Sequence, residues 1–162
     1  MNKRTFNTTF RKLIFEFYEE HDNSEVDITR CMTLAIRLAR LVKDYDNLLW
    51  LELCMMDLTD SDKRSYYEFS NHSDSELFSR QRQNALQKLK HIKSCPNEMI
   101  QNWSVEALTA ITMDIERNSW DDEDNQAERM HDLADNCKTV IRQMKKAAYA
   151  YVAGLEERFA ER

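Results

Sequence analysis

Four histidines, four cysteines and 29 carboxylates are the side chains of this sequence that could hold a metal, move a proton or attack a bond. Their spacing decides what chemistry is open to them. A helical ribonuclease site needs an Arg and a His about four to six residues apart, so that both reach one phosphodiester. The nearest approaches, Arg64 with His72 and Arg82 with His91, are wider than that. Helical nucleotide pyrophosphatases hold Mg²⁺ with carboxylates one turn apart on facing helices, because the ion takes oxygen ligands in octahedral geometry. Glu16, Glu19 and Glu20 could form one such group, but Asp57 with Asp60 is a poor substitute for the second. These acids read better as a solvated face. His21-Asp22 and His131-Asp132 each set an imidazole beside a carboxylate, as two-metal phosphohydrolases do, yet His72 and His91 lack the partners that such a site needs. The run from Asp57 to Glu68 has the length of a calcium loop, but Thr59, Ser61 and Asp62 replace the expected ligands and glycine.

Cys31, Cys54, Cys95 and Cys137 are scattered singly, with no Cys-x-x-Cys pair. They read as reduced thiols, which predicts a cytoplasmic protein. Cys31, Cys54 and Cys137 lie in apolar stretches and are expected in the core. Cys95, beside Pro96 and near Lys93, is expected to be the most exposed, but nothing in the sequence places a base next to it. The reading therefore assigns no catalytic residue, no cofactor and no metal.

Charge narrows the partners. A formal net charge of −6 argues against nonspecific binding to phosphate backbones, so nucleic acid is not expected. Arg80, Arg82, Lys88, Lys90 and Lys93 carry no acid between them but spread around a helical wheel and form no stripe. Arg82 falls within the arc of Phe78, Ala85, Leu86 and Leu89 and is expected to pair with a carboxylate at the core edge. Asp114, Glu116 and Asp121 to Asp124 surround Trp120 and could mimic phosphates, although helix capping explains them without a partner.

The elements that position these residues follow from what is scarce. Gly and Pro occur once each in 162 residues, where average usage is roughly 7% and 5%. Tight sheet turns and glycine-rich phosphate loops need residues that tolerate positive φ. What remains is an all-α fold, one bundle of five to six helices with a long C-terminal helix. No apolar run approaches the ~20 residues that span a bilayer, and no signal-peptide core is present, so no membrane contact is expected.

Helical periodicity predicts a first helix over about 7–20, with Phe6, Phe10, Leu13, Ile14, Phe17 and Tyr18 on one stripe and Phe15 outside it. A second begins after Asp27 and runs to about Tyr45. The third, Leu48 to Leu58, is apolar nearly all round and places Trp50 in the core. Residues 59–75 form a polar connection in which Tyr66, Tyr67 and Phe69 suggest an extra turn. Ser73 with Glu76 forms a capping box for the fourth helix, which Pro96 stops. The fifth covers about 97–118 with a restart at Ser104, and the sixth opens in the acidic cluster at 121–124. Its apolar stripe runs unbroken from Met130 to Phe159.

One segment looks familiar. Leu34-Ala35-Ile36-Arg37-Leu38-Ala39, a polar break, then Asp46-Asn47-Leu48-Leu49-Trp50-Leu51-Glu52-Leu53 is similar to the helical domain of AbiTii-type bacterial abortive-infection proteins. There a Leu/Ala-rich helix is followed by a short turn and a second helix bearing Trp-Leu and Glu-Leu. That family continues with Gly-Tyr, where this chain has Cys54-Met55, and the resemblance covers about residues 28–58 only. It implies an association or regulatory domain in an anti-phage defence system rather than an active site.

The expectation is thus a helical protein-interaction or regulatory module whose partner is another protein or a second copy of itself. Phe15, Trp120 and Tyr149 lie off the core stripes, and Tyr151, Leu155 and Phe159 end a helix expected to outrun its cover, so these six are the candidate interface. The competing arrangement lays the Phe-rich first helix antiparallel along that end. Two other functions stay open at this point: a phage-type small acidic inhibitor, and a metal-dependent nucleotide hydrolase of helical-bundle type.

Overall fold

A computed structural model describes residues 1–58, 76–120 and 125–160. The expected turn at Tyr66, Tyr67 and Phe69, the Ser73 cap and the acidic cluster Asp121 to Asp124 lie outside the described residues. Among the described residues there are six α-helices, one 3₁₀ turn and no strand. They are α1 (Lys3–Asn23), α2 (Thr29–Leu41), α3 (Tyr45–Cys54), α4 (Glu76–Ile92), the 3₁₀ turn Glu98–Asn102, α5 (Val105–Arg117) and α6 (Gln126–Phe159).

Local chemistry sets the boundaries. The Asn2 side chain accepts the Thr5 N–H at 2.8 Å, which starts α1 several residues before the expected point. Ser104 accepts the Ala107 N–H and restarts the chain as α5 after the 3₁₀ turn. One expectation needs correcting: the second helix stops at Leu41, and Tyr45 opens α3 as an exposed residue. Lys43 takes a left-handed conformation (φ 58°). Its N–H donates to the Arg40 carbonyl and that of Asp44 to the Ala39 carbonyl, the double bond of a helix stop that usually carries glycine. The Asp44 carboxylate then caps α3 by accepting the Asn47 N–H.

With 34 residues, α6 is about 50 Å long and serves as the spine. It packs against α1, α2, α4 and α5. Every residue of the expected stripe from Met130 to Phe159 is at least half-buried. The core joins Phe17 of α1, Met32 and Leu38 of α2, Trp50 and Leu51 of α3, and Ile141 and Met144 of α6. Trp50 is 1% exposed. Its indole N–H donates to Asn47 Oδ1 at 2.8 Å, its ring meets Tyr151 of α6 at 6.4 Å, and Lys88 of α4 lies over its face at 4.6 Å. Trp50 is buried in the core as expected, and Tyr151 of α6 and Lys88 of α4 are among its neighbours. Met56, expected inside the third helix, is exposed because α3 ends at Cys54.

A polar knot ties the ends of α3, α4 and the 3₁₀ turn. Asp57 accepts the Ser104 N–H, the Leu58 N–H donates to the Asn102 carbonyl, and buried Lys93 donates to the Trp103 carbonyl at 2.9 Å. Burial of a lysine is tolerated where its ammonium is hydrogen-bonded.

Candidate interaction surface

Helix α1 runs antiparallel to the C-terminal half of α6. Phe6 and Phe10 meet the Phe159 ring at 5.9 and 5.3 Å, Tyr18 meets Tyr149 at 5.5 Å, and Lys145 donates to the Ser24 carbonyl. This register settles the fate of the six candidate residues. Leu155 is buried at 4% exposure, and Phe159 is half-covered by the α1 aromatics. Tyr151 turns inward, donating its hydroxyl to Asp44 at 3.0 Å. Burial, and then the Asp44 carboxylate, push its pKa above the usual phenol value. The expectation that the end of the last helix outruns its cover is therefore corrected: the Phe-rich first helix covers it. Trp120 follows α5, half-buried, with its indole N–H on the Ile115 carbonyl at 3.1 Å. That region packs beside the N-terminal half of α6, where Lys138 pairs with Glu116.

Phe15 and Tyr149 remain. Phe15 is 67% exposed and Tyr149 43%. The structure brings them to one seam, because a trough of about 350 Å³ between α1 and α6 is lined by Phe10, Ile14, Phe15, Tyr18 and Phe159. Arg11 and Glu156 stand at its edge. Tyr18 links the two exposed rings by touching Tyr149 edge-on. At the far end of the seam His21 lies 4.8 Å from the Tyr149 ring and 6.0 Å from Phe17. Burial, then the nearby Lys145 charge, lower the His21 pKa, and the Asp22 carboxylate opposes them.

The cationic side of this end was not assigned from sequence. Lys3, Arg40, Lys43 and Arg158 line a wider groove of about 1000 Å³ beside Phe6 and Phe159. The only available hint was that the first turn of α1 carries no acid and two cations, Lys3 and Arg4, against the usual dipole preference. Elsewhere the charges find ordinary partners. Glu20 and Glu16 engage Arg30 at 3.0 and 4.0 Å, tying α1 to α2.

No thiol is activated. Burial pushes Cys31 and Cys54 up to about 12 and Cys137 up to about 11, and it raises half-buried Cys95 as well. Among the described residues no group of three His, Cys, Asp or Glu side chains stands together as a metal site, and no helix is long and apolar enough to cross a membrane. These features define an all-α bundle wrapped on one long helix, with a mixed aromatic and basic surface at one end. Comparison with protein-family models, with curated proteins and with solved structures found no match to this chain.

Proposed function

We propose that this chain is a helical protein-interaction or regulatory module that engages another protein, or a second copy of itself, through the α1–α6 seam. The observation that carries this reading is Phe15. It stands 67% exposed beside an apolar trough, with the Tyr18 and Tyr149 rings continuing the same surface. Burying an aromatic side chain removes roughly 150–250 Å² from water. Counting only the area still exposed, at about 25 cal/mol per Å², Phe15 gains about 3 kcal/mol and Tyr149 about 2 kcal/mol before the entropy of association is subtracted. The α2–α3 hairpin, which carries the resemblance to AbiTii-type proteins, supports placing the module in a bacterial anti-phage defence system.

Two measurements test the docking surface. Sedimentation of the wild-type chain and of Phe15→Lys shows whether a self-associated form exists and depends on the seam. Affinity purification from the native host with the same pair shows whether a heterologous partner does. Loss of the associated species in Phe15→Lys, with unchanged helicity, is the expected result. A wild-type chain that sediments as a monomer and recovers the same proteins as Phe15→Lys would remove the seam as an interface. Placement in a defence system is tested separately, by the plating efficiency of phages on cells with and without the gene.

A further inference from the structure

The basic groove lies at the same end of the bundle as the seam but has a different chemistry. Among the described residues its lining includes Lys3, Arg40, Lys43 and Arg158 and no carboxylate. All four cations are exposed, while Phe6 and Phe159 below them are half-buried. An adjoining trough shares Lys3 and Asn7 and adds Arg4 and Arg11, again with no acid among its lining residues.

Some of this charge has an internal reason. Arg40 stands in the last turn of α2 with Lys43 just beyond it, and Arg158 stands in the last turn of α6, where cations suit the helix dipole. Arg40 also reaches Glu52 at 2.7 Å, and the Arg158 guanidinium lies 5.2 Å from the Phe159 ring. Lys3 and Arg4 have no such reason, since they stand at the amino end of α1, where the dipole repels them. Lys43 is the second anomaly. It holds a left-handed conformation that glycine adopts without strain, and it presents a cation to the groove. An anion in the groove would compensate both features.

We propose that this groove binds a compact polyphosphorylated ligand of the nucleoside di- or triphosphate class, its phosphates held by Lys3, Lys43 and Arg158 and its ring laid against Phe6 and Phe159. A compact ligand fits better than a nucleic-acid strand for an electrostatic reason. The chain as a whole carries −6, and charges are screened over about 8 Å at physiological salt. A ligand confined to the groove feels the local cations more than the acidic total. A polyphosphate also concentrates several charges in the span over which a peptide offers one or two. Guanidinium and ammonium groups suit phosphate oxygens, and the part of the Phe6 and Phe159 rings left uncovered suits the edge of a base.

Calorimetric titration and amide NMR mapping with ATP, GTP, inorganic tripolyphosphate, a thymidine decanucleotide and a glutamate decapeptide test this. At least one nucleoside triphosphate is expected to bind and to shift amides of Lys3, Phe6, Lys43 and Phe159, with tripolyphosphate binding more weakly. Lys43→Gly is the informative variant, because glycine relieves the positive φ while removing the cation. Its thermal midpoint should hold or rise while affinity falls about tenfold or more. Lys3→Gln should weaken binding in the same direction. Absence of binding by both nucleotides overturns the proposal, as does binding that both variants leave intact. Tighter capture of the decanucleotide or of the decapeptide than of either nucleotide also overturns it, in favour of a nucleic-acid or acidic-protein surface.

Discussion

At the scale of single residues, Trp50 and His21 show how position converts chemistry into stability. Trp50 fills the space between α3, α4 and α6 with its one polar atom satisfied by Asn47. Trp50→Ala should cost about 3–5 kcal/mol, the usual range for a large buried aromatic. Chemical denaturation measures it, and a loss below about 1 kcal/mol would contradict the packing described. His21 makes a pH-dependent contribution. Its pKa in the folded chain lies below the ordinary value because burial and Lys145 disfavour the imidazolium. The unfolded chain then binds the proton more readily, so stability is complete above the unfolded value of about 6.5 and declines as pH falls through it. Thermal melts between about pH 8 and pH 5 should show that decline, and His21→Asn should flatten it. Phe15 is the counterexample. Its ring stabilises little in the isolated chain, and Phe15→Ala should change stability by no more than about 0.5 kcal/mol.

At the scale of elements, the helices that carry a complete apolar stripe were the legible ones. α6 reads from Met130 to Phe159 because all its buried positions recur at the helical period and no Gly or Pro interrupts them before Gly154. The break between α2 and α3 was read late, since its stop uses Lys43 where a glycine would have flagged it. Tyr151 lies on the apolar stripe yet was expected at an interface, because its partner Asp44 stands 107 residues away in sequence and a one-dimensional pattern holds no such pairing. The cover of Leu155 by α1 is a further case of the same limit. Leu155→Ala should cost about 2–5 kcal/mol, as for other buried leucines, whereas an interface leucine would tolerate the change in the monomer. Cutting the chain after Gly154 should destabilise the whole bundle, with α1 losing its packing on Phe159. Loss of cooperative melting after that cut is the readout.

For the molecule as a whole, sequence composition foretold the architecture and hid the surface. Scarce glycine and proline pointed to helices, and six helices are what the described residues form. The candidate surface was half legible. Phe15 and Tyr149 stood out as rings off their stripes, yet only the antiparallel register of α1 on α6 joins them through Tyr18. The basic groove was obscured because its cations come from three helices and the α2–α3 turn, in a chain whose total is −6. A polarised molecule of this kind should bind a cation exchanger through one end despite its acidic total.

That antiparallel register also has a kinetic consequence. The Phe6–Phe159 contact closes a loop of about 150 residues, for which the chain entropy is about 4 kcal/mol. Neighbouring helices such as α5 and α6 pay far less to meet, since only a short connection separates them. Assembly should therefore begin with sequence neighbours, α1 on α2 as well as α5 on α6, and end with α1 closing onto the C-terminal half of a spine already formed. Mutations that weaken the α1 side of the seam, Phe10→Leu for instance, should quicken unfolding and leave the refolding rate nearly unchanged. A refolding rate that falls in proportion to the lost stability would instead place the α1–α6 contact in the nucleus. If the α1–α6 contact closes last, it is also the first to part, and the bundle in its native state should open along the seam that holds Phe15 while α1 stays on α2.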